Sequence, residues 1–241
     1  MGIFDWFKRK ETRCDKCGIL IFDNICLMCE SKNPNIENDN GVNEIYHNDG
    51  RGELKERFYL RNGIRHGEST HYTDGGEIVT KIEYKDGEII KMKTYHPNGK
   101  LCFDMSLKNG GENGLRREYD INGFLMLECN MKDGKIHGLS KSYYTNGVLK
   151  KEAMFHNDNQ NGYYKSYYEN GKLKFSGNYK NHLENGLFKG YSEDGILLEE
   201  SNKKNGLLDG PYKEYYDTGE LRFESNKKAG ESYGISIAYH K

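Results

Sequence analysis

Glycine recurs along this chain at a fixed spacing, and that spacing constrains the fold more than any other feature. Successive members of each of two sets lie 24 residues apart, apart from one step of 23 between Gly76 and Gly99. A period of this length is typical of stacked structural repeats. About eight units are therefore predicted from residue 44 to residue 241. The first set is Gly114, Gly138, Gly162, Gly186, Gly210 and Gly234, and the second is Gly52, Gly76, Gly99, Gly123, Gly147, Gly171, Gly195 and Gly219.

Each unit contains two short strand-forming runs that are separated by a turn dipeptide. In the unit around Asn146-Gly147, the runs lie on either side of this dipeptide, and a second turn such as Asp133-Gly134 leads from one unit to the next. Asn-Gly and Asp-Gly between such runs are the strongest local signal for a β-hairpin. The sequence therefore predicts an all-β fold, an elongated antiparallel β-meander of about eight 24-residue hairpin repeats.

The turn type decides which side chains share a face of the sheet. The segment Pro97-Asn98-Gly99 favours a three-residue turn, with proline in a type I bend and glycine in the left-handed region. Such a turn places the tyrosine four residues before each turn glycine opposite the leucine two residues after it. We expect one face to carry ladders of Tyr, Leu and Phe, and the other to carry charged pairs such as Glu214 opposite Arg222.

Composition narrows the functional classes. Only 35% of the residues are hydrophobic, yet 12% are aromatic, which argues against intrinsic disorder. The formal net charge of -1 provides no global field that would attract nucleic acid or an anionic membrane. The sequence shows no apolar run long enough to span a bilayer and no signal-peptide pattern. A cytoplasmic location is therefore expected.

The repeat motif resembles a known family. The pattern Tyr-x-x-Asn-Gly-x-Leu, as in Tyr143 to Leu149 and Tyr167 to Leu173, resembles the MORN-repeat variant over residues 44–241. Bacterial proteins built from this variant are similar to the YwqK-type antitoxins. The resemblance implies a non-enzymatic, protein-binding role, with the antitoxin or immunity component of a toxin–antitoxin module as one form of it. Three residues depart from the motif where glycine is expected, and irregular turns are predicted there: Ile90, Asp158 and His182.

Two Cys-x-x-Cys pairs precede the repeats. Residues 13–30 form a zinc-ribbon-like knuckle in this interpretation, because four thiolates suit tetrahedral Zn²⁺ and leave no position open for water, so the metal would be structural. A disulfide pair, idle thiols or a redox motif are the alternatives. Residues 1–12 form a short amphipathic segment, and residues 31–43 a polar linker. The predicted zinc ligands are Cys14, Cys17, Cys26 and Cys29.

No catalytic motif was found in the sequence, and an enzyme is not expected. The eight histidines show no ligand spacing and are predicted to be exposed, while Cys102 and Cys129 are interpreted as small apolar core residues. The tyrosine column could bind a protein partner, could bind sugar or nucleobases by stacking, or could serve only to pack on leucine. Alternative functions are a scaffold or adaptor that docks through the zinc knuckle, and nucleic-acid or peripheral membrane binding through the N-terminal region. The candidate partner-binding residues are Tyr119, Tyr143, Tyr167, Tyr191 and Tyr215.

Overall fold

The computed structural model describes residues 39–47 and 51–240. These residues form nineteen β-strands and no helix, and every strand pairing within the two units described below is antiparallel. The prediction of an all-β meander of hairpins is therefore confirmed. The chain divides into two compact units, one comprising residues up to 99 together with 106–111, and the other comprising residues 100–105 and those from 112 onward.

The first unit contains six complete strands, of which the third and the fourth both pair with the second. The first strand begins at Gly41, so residues 41–43 of the predicted linker lie in a strand. Its strands are β1 (Gly41–Tyr46), β2 (Leu54–Arg61), β3 (Ile64–Arg65), β4 (Gly67–Tyr72), β5 (Ile78–Lys85) and β6 (Glu88–Tyr95).

The strand β7 (Leu101–Lys108) contributes residues to both units, and the second unit is also a meander of antiparallel strands. Its other strands are β8 (Gly111–Tyr119), β9 (Leu125–Lys132), β10 (Lys135–Tyr143), β11 (Leu149–His156), β12 (Asn159–Tyr167), β13 (Leu173–Lys180), β14 (Leu183–Glu184), β15 (Gly186–Tyr191), β16 (Leu197–Lys204), β17 (Leu207–Tyr215), β18 (Leu221–Lys228) and β19 (Glu231–Ala238).

The turns inside the hairpins have the predicted three-residue form from the β4–β5 hairpin onward. In the β10–β11 hairpin, the Gly147 amide donates to the Tyr144 carbonyl at 2.9 Å, and the Tyr144 amide donates to the Val148 carbonyl at 2.9 Å. Gly147 has a φ of 82°, in the left-handed region that glycine adopts without strain. The turn also places Tyr143 directly opposite Leu149, as expected.

A β-bulge directly after this tyrosine–leucine pair changes which side chains share a face. Tyr143 pairs with Leu149, but Ser142 pairs with Lys151, so Lys150 is left without an opposite residue. The same register shift lies next to the tyrosine–leucine pair of the other hairpins, on the side away from the turn, at Tyr119, Tyr167, Tyr191 and Tyr215. An extra residue in one strand reverses the alternation beyond it.

The predicted face assignment was therefore wrong. Phe175 lies opposite Ser166 and contacts the ring of Tyr164, which is on the other face of β12 from Tyr167. Glu214 likewise pairs in register with Phe223, although its carboxylate still lies 3.8 Å from the guanidinium of Arg222. The phenylalanines thus share a face with a second set of tyrosines, such as Tyr164, which lies three residues before Tyr167 of the predicted column.

The turns between hairpins are more regular than the sequence suggested. Asn157 and Asp158 have φ values of 50° and 68°, and Asn181 and His182 have 51° and 66°. Two successive positive φ angles define the type I′ turn, which the Asn-Gly turns at other units also adopt. The expected irregularity at Asp158 and His182 is therefore not present.

These second turns also join neighbouring repeats. The Asp158 amide donates to the Ile136 carbonyl at 2.9 Å, and the Asp158 carboxylate accepts from the Ile136 amide at 2.7 Å. The Gly134, Gly206 and Gly230 amides make the same backbone bond to the preceding repeat. Asp158 therefore replaces the glycine without losing this bond and adds a second one.

The single 23-residue step has a local cause in β6. This strand has 8 residues, whereas its counterparts β8, β10, β12 and β17 have 9. The counterparts widen into a bulge around a glycine with positive φ, such as Gly138 at 100°. In β6 the register shifts by one residue only, across Ile90, so no left-handed residue is required there.

A row of alternating large and small side chains runs across the strands of the second unit. Tyr164 lies opposite both Ala153 and Gly177, and Tyr212 lies opposite both Ser201 and Ser225. Between them, Phe188 is only 1% exposed and packs against Gly177, where no side chain intervenes. We call the face that carries this row the buried face. Toward the N-terminal side of the unit it holds a compact apolar cluster of Leu127, Cys129, Met131 and Ile136, with Phe155 packed against it.

Candidate partner-binding face

The five candidate tyrosines occupy equivalent positions on the face opposite the buried face. Each is the last residue of its strand, in β8, β10, β12, β15 and β17, and each is half-buried. Their equivalence follows from the 24-residue period and from the identical turn that comes next. We call this surface the tyrosine face. The structure places all five predicted tyrosines on it, within the second unit.

Two columns of charged residues run beside the tyrosines. A basic residue lies two positions before each tyrosine, and an acidic residue of the same hairpin lies opposite it, except where Ser176 replaces the acid. Glu128, Glu152 and Glu200 also pair in register with the basic residue of the following hairpin, whereas Glu224 pairs with Ile237. The two columns therefore form a ladder of alternating charge. Its members, in order across the sheet, are Arg117, Glu128, Lys141, Glu152, Lys165, Ser176, Lys189, Glu200, Lys213 and Glu224.

Several ion pairs in the ladder have short distances. Arg117 Nε lies 2.7 Å from Glu128 Oε2, and Lys189 Nζ lies 2.6 Å from Glu200 Oε1. Because these groups are partly exposed, each pair contributes about 0–1 kcal/mol to stability. Their main effect is on geometry, since a cross-strand partner restricts where each long side chain can reach.

Tyrosine hydroxyls donate hydrogen bonds to carboxylates of this ladder. Tyr167 donates to Glu152 at 2.9 Å, and Tyr215 donates to Glu200 at 2.9 Å. Burial and the hydrogen-bonded carboxylate raise the pKa of each of these two tyrosines to about 12, so both hydroxyls stay protonated at neutral pH. Rings that are held before binding lose little conformational entropy when a partner arrives.

The sequence could have revealed the basic column, because it obeys the same period as the tyrosines. Sequence reasoning identified the tyrosines but did not connect them to the two charged columns. The bulge explains why the acids were not connected, because without it the tyrosines and the acidic residues are assigned to different faces. Once the bulge is known, alternation along each strand brings all three columns together.

A cluster of polar side chains lies in the interior of the first unit. Glu56 is 4% exposed, and its carboxylate accepts hydrogen bonds from Arg65, at 3.1 Å for the Nη2–Oε2 pair, and from the Ser69 hydroxyl at 2.8 Å. The Arg65 guanidinium lies 4.2 Å from the ring centroid of Phe58 and 5.4 Å from that of Tyr84. A buried ion pair with this many partners is a structural feature, because its groups are shielded from any external ligand.

His71 completes this cluster and corrects the expectation that the histidines are exposed. It is 7% exposed, and its Nε2 lies 3.4 Å from Glu56 Oε1. Burial lowers the pKa of His71, although the Glu56 carboxylate opposes the shift, so the ring is neutral at pH 7. Its Nδ1 is buried and has no hydrogen-bond partner among the described residues. An unprotonated Nδ1 with the proton on Nε2 toward Glu56 is the arrangement that suits these contacts.

The zinc prediction concerns residues outside those that the structure describes. Cys14, Cys17, Cys26 and Cys29 all precede residue 39, so their interpretation as zinc ligands stays a prediction. Between residues 39 and 240, apart from 48–50, no group of three or more His, Cys, Asp or Glu side chains is arranged to hold a metal ion. Cys129, by contrast, is a core residue as expected, and burial raises the pKa of its thiol to about 12.

The described portion of the chain also contains no helix that is long and apolar enough to cross a bilayer.

Comparison with known protein families supports the interpretation of this chain as a repeat protein. The model of the MORN repeat variant matches five segments, residues 65–86, 90–109, 136–157, 160–181 and 208–226. The matched segments follow the hairpin period, and each contains residues of two neighbouring strands. A comparison with curated protein sequences gives no match.

Among solved structures, the chain is similar to segments of two crystal structures, described as TcdB2-TccC3-Cdc42 and TcdB2-TccC3. In each the sequence identity is 16%, the TM-score is 0.19, and the match covers 82% of this chain but 13% of the other. The chain thus spans about one eighth of the length of those proteins.

Proposed function

We propose that this chain is a protein-binding repeat protein without catalytic activity, and that it binds its partner through the tyrosine face. The observation that carries the proposal is the charge ladder together with the half-buried tyrosines beside it, on a sheet held by backbone hydrogen bonds. Tyrosine and arginine are enriched where binding energy concentrates in protein interfaces. The repeat also presents the same groups at regular intervals, which suits an extended partner surface.

A narrower form of this proposal is that the partner is a toxin that the chain neutralises. Its support is the resemblance of the Tyr-x-x-Asn-Gly-x-Leu motif to YwqK-type antitoxins. In this form, binding to the tyrosine face would cover the partner's own functional surface, and no chemistry would be required of this chain.

The binding face can be tested by photo-crosslinking in the native cells. A photoreactive phenylalanine analogue is placed at residue 143 or 191 on the tyrosine face, and at residue 155 or 179 on the buried face as a matched control. We expect one protein to be captured from positions 143 and 191 and not from the controls. Expression of that protein alone should then arrest growth, and this chain should restore growth, if the partner is a toxin.

Two outcomes would contradict the proposal. Capture from the buried-face positions equal to capture from the tyrosine face would remove the face assignment, and capture of no protein at any position would remove the binding role. A captured protein that is harmless on expression would remove the toxin form alone.

We also propose that Cys14, Cys17, Cys26 and Cys29 bind one structural zinc ion. The support is the donor set, since two closely spaced Cys-x-x-Cys pairs supply the four thiolates of a closed tetrahedral site. The purified full-length chain is expected to contain about one zinc ion per molecule by elemental analysis. Replacement by Co²⁺ should give the visible absorption of a tetrahedral thiolate complex. Changing Cys26 and Cys29 to serine should abolish both signals, whereas Cys129→Ser should leave them unchanged. Zinc content that is unaffected by the first change would refute the assignment.

A further inference from the structure

The charge ladder of the tyrosine face is interrupted at one position. Ser176 pairs in register with Lys165 on one side and with Lys189 on the other, in the place where the neighbouring hairpins have Glu152 and Glu200. Two lysines therefore flank a neutral residue here, while elsewhere in the ladder each basic column alternates with carboxylates. The lysines keep their outer partners, since Lys165 Nζ lies 3.7 Å from Glu152 and Lys189 Nζ lies 2.6 Å from Glu200.

The same substitution affects the next tyrosine. Each hydroxyl bond of this column joins a tyrosine to the carboxylate fifteen residues earlier, as Tyr167 does with Glu152, Tyr215 with Glu200 and Tyr239 with Glu224. The corresponding residue for Tyr191 is Ser176. No hydrogen bond joins the Tyr191 hydroxyl to another side chain among the described residues. In register, two lysines thus flank a position that holds a carboxylate in the adjacent repeats, and Tyr191 is the tyrosine that corresponds to the ones bonded to that carboxylate.

We propose that a carboxylate from an aspartate or glutamate of the bound protein partner occupies the position above Ser176, between Lys165 and Lys189, and accepts a hydrogen bond from Tyr191. The proposal rests on the tyrosine face being the binding face and specifies the partner chemistry that this face selects. Serine leaves room for the incoming group, and the neighbouring repeats show how a carboxylate is held there, since Glu152 accepts from the Tyr167 hydroxyl and lies 3.7 Å from Lys165 Nζ.

Charge complementarity favours a carboxylate over a dianion such as phosphate. Along the ladder, one singly charged acid lies between two basic residues at each regular position, so the Ser176 position lacks one negative charge. A single carboxylate restores the alternation, and its two oxygens can accept from both lysines and from the tyrosine hydroxyl. A doubly charged group would place an excess of negative charge near Glu152 and Glu200.

The site can be tested on the full-length chain without the natural partner. The probes are a fluorescein-labelled hexaglutamate peptide, followed by anisotropy at low ionic strength, and sodium acetate, followed by NMR of the lysine side chains with sodium chloride as control. We expect acetate to shift the signals of Lys165 and Lys189 but not those of Lys141 and Lys213. Ser176→Glu should weaken hexaglutamate binding by about tenfold or more, because it supplies the carboxylate internally.

Matched variants separate charge from shape. Ser176→Gln adds the same bulk without charge and should bind hexaglutamate within about twofold of the wild type. Tyr191→Phe should weaken binding, whereas Tyr215→Phe, whose hydroxyl already bonds Glu200, should not. Equal affinities of Ser176→Glu and Ser176→Gln, uniform shifts across all four lysines, or shifts produced by inorganic phosphate at lower concentration than by acetate would each overturn the carboxylate site. Because these probes do not involve the native partner, the site stands or fails independently of the crosslinking result.

Discussion

Replacing Gly177 with alanine is expected to lower the free energy of unfolding by about 2–3 kcal/mol, because the new methyl group would overlap the ring of Phe188. That ring is 1% exposed and lies between two other aromatic rings, with centroids 5.5 Å from Phe175 and 5.8 Å from Tyr179. It therefore has no unoccupied direction in which to move. Chemical denaturation followed by circular dichroism measures the loss.

Gly190 provides the control for this change. It lies in the adjacent strand β15, and a methyl group there would meet only Glu199 Cβ, at an ordinary 3.8 Å. Gly190→Ala should therefore change stability by no more than about 0.5 kcal/mol. In a Phe188→Ala background, Gly177→Ala should also cost little, because the space of the ring is free. Equal stability of Gly177→Ala and Gly190→Ala would show that the two residues are not packed as described.

Arg65→Met is expected to destabilise the first unit by about 3–5 kcal/mol, because it leaves the Glu56 carboxylate buried without its guanidinium partner. Methionine retains much of the apolar contact with Phe58 and Tyr84, so the loss reports the charge. Thermal and chemical denaturation of the full chain give the value.

An exposed ion pair serves as the comparison for this variant. Arg57 and Glu44 are joined at 2.7 Å, but both are largely solvated, so Arg57→Met should cost less than about 1 kcal/mol. Adding Glu56→Gln to Arg65→Met should restore part of the stability, since no buried charge then remains. If Arg65→Met were no worse than Arg57→Met, the buried cluster would not have the energetic role assigned to it.

The same cluster gives stability a defined pH dependence. Burial opposes ionisation of Glu56, but the hydrogen bonds and charge of Arg65, with a contribution from His71, hold the pKa of the carboxyl below its ordinary value. A carboxyl group whose pKa is lower in the folded than in the unfolded chain stabilises the fold above its unfolded pKa. This stabilisation is lost as the pH falls. The lowered pKa of His71 acts in the same direction. As the pH falls below about 6.5, the imidazole is protonated in the unfolded chain before it is protonated in the folded chain, which favours unfolding. Stability should therefore decrease on acidification, and less steeply in His71→Gln.

Much of this fold is predictable from local sequence rules. Asn146-Gly147 and Pro97-Asn98-Gly99 specify their turns because few residues tolerate the backbone angles involved, and this local chemistry sets the pairing of Tyr143 with Leu149. The number of repeats follows from the glycine spacing alone. These features depend on residues that are close in sequence, so pattern reasoning captures them.

The features that the sequence did not reveal depend on contacts across strands. The bulge at Lys150 has no glycine or proline to mark it, and missing it exchanges the faces of every residue beyond it. The burial of His71 and Glu56 depends on a guanidinium from the next strand, since either residue alone is ordinarily exposed. The pairing of Gly177 with Phe188 involves two different repeats, and only comparison between columns of the repeat shows that their sizes are matched.

The bonds from each second turn to the preceding repeat have a consequence for how such a chain can change in length. Because the amide of Asp158 reaches the carbonyl of Ile136 in the unit before it, gain or loss of a whole module keeps donor and acceptor matched. Duplication or excision of 24 residues therefore preserves every such bond. Smaller changes are accommodated at a bulge or in a turn: the shortened strand β6 lacks one residue at its bulge, and the Gly63 amide donates to the Asp39 carbonyl across 24 residues where the other described bonds of this kind span 22.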